Sequence, residues 1–319
     1  MEIEKINLKV IMSAFRMKMD ISKDFHDLLN KENKYYNFVS IRDDPDFIFS
    51  HEFKIWTKLC TKILTSNEDI LTNAIIFDRF KFDHIEGRQS LRRLYLGTLS
   101  QKNTLKLPKI EGRAQKLIDE KYILFSKKFK IKKDGVIVVA PNRHQWGWYF
   151  KNKGTLSNLE QIERTIKIIK ENSPLDIELR IHPKTNIDSK LKNIMEKYNV
   201  KLNNDTIDEL VERAYCVIGD RSTIGPHLYL RGCLLFNFQE DYEHTIVSTI
   251  CLRDYKLLDP KNLKDEDIPS EETRFEYLEL IATLSFSNEE INNGYFLEYI
   301  YPILLENKEK FHKLYNKIH

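Results

Sequence analysis

The sequence lacks several features that would assign it to a familiar class. None of its four cysteines forms a CxxC pair, so neither a disulfide framework nor a zinc site of that kind is expected. Its aliphatic runs are short, the clearest being Val136–Ala140, whereas a membrane-spanning helix needs roughly 20 apolar residues. The amino terminus has no continuous apolar run, so we expect no secretory signal. These absences favour a cytoplasmic protein without a transmembrane segment.

Glycine-rich nucleotide motifs are absent as well. The sequence contains neither GxxxxGK[ST] nor GxGxxG, which argues against a P-loop NTPase and against an NAD-type oxidoreductase. No group of His, Cys, Asp and Glu residues has the spacing of metal ligands, so we expect no metal site and no cofactor.

Basic charge is concentrated in the first part of the 319-residue chain. Residues 1–135 hold 27 Lys and Arg against 19 Asp and Glu, whereas the remaining residues hold 24 against 29. The densest stretch, 88–134, has 14 basic and 4 acidic residues. Such a stretch is either a solvated lysine-rich connection or a surface that meets an anionic partner.

Strands and helices alternate from residue 134 onward. Short apolar runs bounded by Gly, Pro or Asp predict strands at 136–140, 177–181, 216–218 and 233–238. Apolar residues at three- and four-residue spacing predict helices after the first two of these strands. Thr206 and Glu209 form a capping box that begins another helix, and Gly232 predicts the end of the last one. This alternation predicts a parallel sheet with right-handed crossovers.

The fold class that follows is α/β, with two Rossmann-like domains and a C-terminal helix that crosses back. Residues 1–133 form a looser first domain, in which 74–77 is the clearest strand. Residues 134–285 form the second domain. Residues 286–319 form an amphipathic helical segment with an interruption near Pro302.

Three segments of the second domain are expected at its ligand-binding edge. In open parallel sheets, ligands bind beyond the carboxyl ends of the strands. The segments that follow predicted strands there are Pro141–Trp148, His182–Thr185 and Gly219–Pro226. They hold most of the domain's Pro, His and Trp residues.

Each segment has a functional and a structural interpretation. The His182 imidazole can donate a hydrogen bond to a phosphate, or it can be satisfied within the fold. Ser222 and Thr223 can cradle a phosphate, or they can cap the helix that follows. Arg143 and His144 can neutralise a diphosphate or a carboxylate, while the neighbouring tryptophans pack a base or wall a cleft.

Together these segments resemble the GT-B glycosyltransferases. The pattern is a strand-end His182-Pro183, then Ser222-Thr223 about 40 residues later, followed by Leu228 and Gly232. It is most similar to bacterial enzymes of capsule and lipopolysaccharide synthesis that use CMP-activated Kdo or sialic acid. CDP-glycerol polymerases and UDP-GlcNAc 2-epimerases have related arrangements. The resemblance spans about residues 134–240, and the bulky, basic Asn142–Trp148 segment departs from it.

The resemblance implies a donor site on the second domain and an acceptor site on the first. His182, Ser222 and Thr223 would bind the donor phosphate, without a metal ion. The other residues that would border the donor are Asn142, Arg143, His144, Lys184 and Asp220. An inverting transfer also needs a general base near the acceptor hydroxyl. The candidates in the first domain are Asp78, Asp83, His84 and Glu86.

The predicted activity is transfer of a sugar from a CMP- or UDP-linked donor to a surface glycan or lipid-linked acceptor. The protein would then be cytoplasmic, with peripheral contact to the inner face of the membrane. One alternative is a phage-type DNA glycosyltransferase that acts on a flipped, modified base. Others are a non-hydrolysing sugar epimerase and a carbohydrate-binding protein without catalysis.

Overall fold

The computed structural model describes ten stretches of the chain. They are residues 3–11, 34–39, 46–50, 74–79, 91–96, 107–141, 158–181, 187–219, 224–237 and 251–311. These stretches contain eleven strands and eight α-helices. The strands are β1 (Ile6–Ile11), β2 (Tyr36–Phe38), β3 (Phe47–Ser50), β4 (Ala74–Arg79), β5 (Arg92–Leu96), β6 (Val136–Ala140), β7 (Ile177–Leu179), β8 (Lys201–Leu202), β9 (Ala214–Gly219), β10 (Leu234–Phe236) and β11 (Ser285–Phe286). The helices are α1 (Arg113–Asp119), α2 (Asn158–Asn172), α3 (Ser189–Lys197), α4 (Ile207–Arg213), α5 (Ile224–Leu230), α6 (Glu271–Leu284), α7 (Asn288–Asn292) and α8 (Tyr295–Asn307).

The chain divides into two compact units. Unit 1 consists of Met1–Tyr122 and Glu279–His319, and unit 2 consists of Ile123–Leu278. Unit 2 therefore begins at Ile123, whereas the strand and helix pattern of the sequence predicts a second domain from residue 134. The physical reason is hydrogen bonding, since the backbone N–H groups of Ser126 and Lys130 donate to Leu230 and Gly232 within unit 2. The C-terminal segment of unit 1 begins inside α6, at Glu279.

Unit 1 is built around a six-stranded sheet in the order β11-β5-β4-β3-β1-β2. The four strands β2, β1, β3 and β4 pair in parallel. β5 and β11 depart from the expected parallel pattern, because β5 runs antiparallel to β4 and β11 runs antiparallel to β5. Apolar residues of the sheet pack with α8 in one core that includes Ile6, Phe47, Ile75, Phe286 and Ile300.

Among the described residues of unit 1, Arg113 forms an extensive set of hydrogen bonds and is almost fully buried. Its guanidinium donates to both carboxylate oxygens of Glu290, at 2.7 Å each, and to the backbone oxygen of Ala282 at 2.8 Å. It also donates to the backbone oxygen of Ser285 and lies 4.9 Å from the centre of the Phe286 ring. Residues about 170 positions apart in the chain are joined through this one side chain.

Unit 2 contains a five-stranded parallel sheet in the order β10-β9-β6-β7-β8. The predicted strands are confirmed, with small changes at their ends. The capping box is confirmed too, because the Thr206 hydroxyl accepts from the Glu209 N–H while the Glu209 carboxylate accepts from the Thr206 N–H. The apolar face of α2, formed by Ile162, Ile166 and Ile169, packs into the core of this unit.

The expected interruption near Pro302 is wrong. Helix α8 continues through Pro302, and the break lies earlier, between α7 and α8 at Asn293 and Gly294. Gly294 has φ +80°, a left-handed conformation that ends a helical path. Pro302 is exposed, while the opposite face of α8 stays buried through Ile300 and Leu304. Burial of that face offsets the hydrogen bond that a proline removes.

Gly232 ends helix α5 as predicted. Its φ of +90° is left-handed, and the Cys233 N–H reaches back to the Leu228 oxygen at 2.9 Å. A Cβ atom at this position would lie 2.4 Å from the backbone oxygen of Lys128. Two physical demands, one conformational and one steric, therefore require glycine here.

Replacing Gly232 with alanine is expected to destabilise unit 2 by roughly 3 kcal/mol. The left-handed backbone costs an L-residue about 1–2 kcal/mol, and forcing the methyl group against a backbone oxygen adds roughly 1–3 kcal/mol. The matched control is Gly112→Ala, because Gly112 has φ +70° but no described atom within 4 Å of a Cβ. Urea unfolding should show that Gly112→Ala loses about 1 kcal/mol of unfolding free energy. Equal losses for both variants would contradict the steric contribution predicted at Gly232.

Candidate active site

The carboxyl ends of three neighbouring strands form the clearest candidate site in unit 2. β6 lies in the middle of the sheet, with β9 on one side and β7 on the other. Ala140 at the end of β6 pairs with Gly219 at the end of β9, and Val139 pairs with Leu179 at the end of β7. The chain therefore leaves the sheet at nearly the same level in all three strands, on one edge.

The residues predicted to bind a donor follow these strand ends directly in the chain. Asn142, Arg143 and His144 come after β6, His182 and Lys184 after β7, and Asp220, Ser222 and Thr223 after β9. All eight lie outside the described residues. The described residues establish the order of the three strands and show that their carboxyl ends are in register, and these segments start from those ends.

Helix α5 begins only five residues after the end of β9, and two glycines let it approach the sheet. A Cβ added at Gly219 would lie 3.3 Å from Leu235 Cδ1, and one added at Gly225 would lie 3.1 Å from the same atom. The side chain of Leu235, on β10, thus fills the space that larger residues would need. Residues 220–223, which join the strand to this helix in the sequence, lie outside the described residues.

A polar network secures the end of β7, and the sequence did not point to it. Arg180 follows β7 and donates through Nη1 to Asn203 Oδ1 at 3.0 Å and to the backbone oxygen of Asp205. Asn203 Nδ2 donates to the Glu178 carboxylate at 2.7 Å. The only signal was that two charged residues, Glu178 and Arg180, alternate with the apolar residues of the predicted strand 177–181. The network holds β7 against β8 two residues before His182.

In this network, burial disfavours the charged form of each ionisable side chain, and its hydrogen-bond and charge partners favour that form. Burial would raise the pKa of Glu178, but hydrogen bonds from Arg213 and Asn203 outweigh it, so the pKa lies below its usual range. Burial lowers the pKa of Arg180, and the Asp205 carboxylate opposes that shift. The network is internally matched in charge, which is typical of a structural rather than a catalytic cluster.

The general-base candidates belong to unit 1. Asp78 is the next-to-last residue of β4, where its backbone pairs with Arg93 on β5. Asp83, His84 and Glu86 lie outside the described residues. The described structure therefore establishes for these candidates only that Asp78 is located near a strand end.

The described residues contain neither a group of metal-ligating side chains nor a membrane-spanning helix. Within the ten described stretches, no group of three or more His, Cys, Asp or Glu side chains is arranged to hold a metal ion. No helix in that part of the chain is long and apolar enough to cross a membrane.

Comparison with known proteins gives structural but not sequence relatives. No protein-family model matches the chain, and no curated protein sequence matches it significantly. Among solved structures, the chain is similar to the β-Kdo 2,7-transferase of Thermosulfurimonas dismutans KpsC, with 14% identity and a TM-score of 0.46. That match covers 95% of this chain and all of the other.

Two further solved structures illustrate the range of the similarity. The β-Kdo 2,4-transferase of the same KpsC has 10% identity and a TM-score of 0.45, with 91% of this chain and 98% of the other covered. MnaA of S. aureus, solved with UDP, has 11% identity and a TM-score of 0.32, with 92% and 98% covered. The chain resembles these proteins over nearly its whole length, at low identity.

Proposed function

We propose that this chain is a GT-B glycosyltransferase that binds a nucleotide-activated sugar at the carboxyl edge of the unit 2 sheet. The observation that carries the proposal is the level alignment of the ends of β9, β6 and β7. Each of these adjacent ends is followed in the chain by a segment whose residues suit a phosphate. Convergence of such segments at one strand edge is the usual arrangement of nucleotide sites in open parallel sheets.

In the proposed reaction, the bond between the anomeric carbon and the donor phosphate oxygen breaks. His182, Ser222 and Thr223 stabilise the negative charge that develops on the departing phosphate, by hydrogen bonds and charge. Asn142, Arg143, His144, Lys184 and Asp220 border the donor. The proposed reaction uses these side chains, rather than a metal ion, to stabilise that charge.

The acceptor hydroxyl forms the new bond to the anomeric carbon and loses its proton to a base. We propose Asp78 or Asp83 for this role, with His84 and Glu86 as the other candidates. The acceptor class is a surface glycan or a lipid-linked saccharide. The sequence resemblance makes CMP-Kdo and CMP-sialic acid the first donors to test, before UDP-sugars.

The proposal predicts that a nucleotide raises the melting temperature of the protein. A ligand that binds only the folded state at 100 times its Kd adds about 2.7 kcal/mol of stability, or roughly 5–10 °C for a domain of this size. The measurement is a thermal-shift series with CMP, CDP, UMP, UDP and GDP. CMP is expected to give the largest shift.

Cytidine, which lacks the phosphate, is the matched control and should give little or no shift. A shift with UDP but not with CMP would assign a UDP-sugar donor. The absence of a shift with all five nucleotides would contradict the proposed function.

A further inference from the structure

The segment Leu124–Asp134, here called the lysine segment, combines exposed lysines with two apolar residues that pack inward. Phe129 and Ile131 pack against the core of unit 2. Lys128 and Lys130, on either side of Phe129, are exposed. Lys127 and Lys133 are exposed as well. The segment contains five lysines and one acidic residue, Asp134.

Hydrogen bonds locate the lysine segment at the amino edge of the unit 2 sheet. The Lys130 N–H donates to the Gly232 oxygen at 2.8 Å, just before β10 begins. The Gly135 N–H donates to the Lys132 oxygen at 2.8 Å, just before β6 begins. The amino ends of parallel strands lie at one edge of the sheet and their carboxyl ends at the other. The lysine segment is therefore at the edge opposite to the candidate active site.

Most of the charge on the lysine segment is not neutralised by neighbours. Lys127, Lys128 and Lys133 are exposed and form no ion pair with any described residue. Lys130 does pair, with Glu212 of α4. Nearby Arg231 is paired with Asp208. Asp134 of the segment itself is exposed and offsets one of the three lysine charges, so the net charge of these groups stays positive.

An exposed leucine adjoins this charge. The Leu124 side chain is 41% exposed, one of the few large apolar residues of the described chain that is so accessible. Lysines bind any polyanion. An exposed leucine beside them strengthens binding when it can leave water for an apolar region, and a bilayer offers such a region beneath its headgroup phosphates. That combination favours a lipid surface over a nucleic acid.

We propose that the lysine segment docks unit 2 onto an anionic phospholipid bilayer. Lys127, Lys128 and Lys133 contact the headgroup phosphates, and Leu124 inserts at the level of the acyl boundary. The carboxyl edge of the sheet then points away from the bilayer. This inference rests on described residues of unit 2 alone and is independent of the proposed function.

The test is sedimentation of the full chain with vesicles of 30% phosphatidylglycerol in phosphatidylcholine. Each lysine near an anionic surface contributes about a five-fold gain in affinity, so the triple variant Lys127→Gln, Lys128→Gln, Lys133→Gln should bind roughly 100-fold more weakly. Leu124→Ser alone should weaken binding severalfold. Raising the salt concentration to about 0.5 M should abolish most of the wild-type binding.

The matched control removes three exposed lysines elsewhere on unit 2, in the variant Lys170→Gln, Lys256→Gln, Lys261→Gln. It carries the same net charge as the triple variant and should bind like the wild type. Equal weakening of both variants, or failure of the wild type to bind these vesicles, would overturn the proposal. So would binding to a 30-base-pair DNA duplex that is as tight as vesicle binding and insensitive to Leu124→Ser.

Discussion

Replacing Arg113 with alanine is expected to lower the free energy of unfolding by about 3–5 kcal/mol, the usual effect of removing one partner of a buried ion pair. The Arg113 side chain is buried and paired with Glu290, which keeps little exposure of its own. The variant would leave that carboxylate with only the exposed Lys116, whose Nζ lies 3.8 Å from Glu290 Oε1, as a described cation. It would also leave the backbone oxygens of Ala282 and Ser285 without their side-chain donor.

An exposed ion pair supplies the control for this prediction. Lys197 pairs with Glu163 at 2.7 Å, but the Lys197 side chain is exposed and that of Glu163 is partly exposed. Lys197→Ala should therefore cost no more than about 1 kcal/mol. Equilibrium urea unfolding of the two variants measures the difference. A loss below about 1 kcal/mol for Arg113→Ala would mean that the buried pair is replaceable by water.

The pH dependence separates loss of charge pairing from loss of packing. Burial would raise the pKa of Glu290, but the hydrogen bonds and charge of Arg113 outweigh it and hold the pKa below its usual range. A carboxyl group with a depressed folded-state pKa contributes stability above its unfolded pKa and loses it as pH falls through the folded pKa. The gap in stability between wild type and Arg113→Ala should therefore narrow below about pH 4.

Unit 2 was largely predictable because its signals are local. The Thr206 capping box and the Gly232 helix end each depend on residues within one helical turn. The strand β6 depends on a continuous apolar run bounded by Gly135 and Pro141. Such features need no knowledge of distant contacts, so the pattern of residues was sufficient to predict them.

Unit 1 was harder to predict because its order depends on distant contacts. β11 has two residues, Ser285 and Phe286, and is a strand only because it pairs with β5 almost 200 residues earlier. Arg113 reads as one more charge in a basic stretch, yet it joins three backbone and side-chain groups of the C-terminal segment. No local pattern marks a charged residue as buried.

The basic stretch shows the same limit at the level of function. Charge counts along the sequence predict that residues 88–134 belong almost entirely to the first domain. The structure divides them between Tyr122 and Ile123, so the lysines from Lys127 to Lys133 belong to unit 2. Whether the predicted donor residues lie near one another depends even more on distant contacts, because the order of the strands in the sheet decides which segments start side by side.

Replacing His182 with alanine is expected to reduce the rate of sugar transfer by about 100- to 1,000-fold. That is the usual effect of removing one donor that stabilises charge developing in a transition state. His182 follows β7 by three residues, and β7 ends beside the central strand β6. Among the proposed phosphate contacts, His182 and Ser222 each follow a strand end by three residues, and Thr223 follows by four.

The expected change is in kcat more than in KM, since the charge on the phosphate oxygen grows as the glycosidic bond breaks. The assay follows nucleotide release from the donor whose nucleotide raises the melting temperature. His182→Gln keeps a hydrogen-bond donor and should recover part of the rate. His144→Ala, which alters a residue proposed only to border the donor, should change KM and leave most of kcat.

A purely structural histidine makes a different set of predictions. If His182 only satisfied the fold, its loss would lower the melting temperature and would affect kcat in proportion to the fraction unfolded. The decisive result is therefore a variant that melts like the wild type and yet turns over at least 100 times more slowly. A His182→Ala protein of normal stability and normal kcat would show that this residue has no role in the mechanism. If a nucleotide still raised the melting temperature of that variant, the proposed donor site would nevertheless be supported.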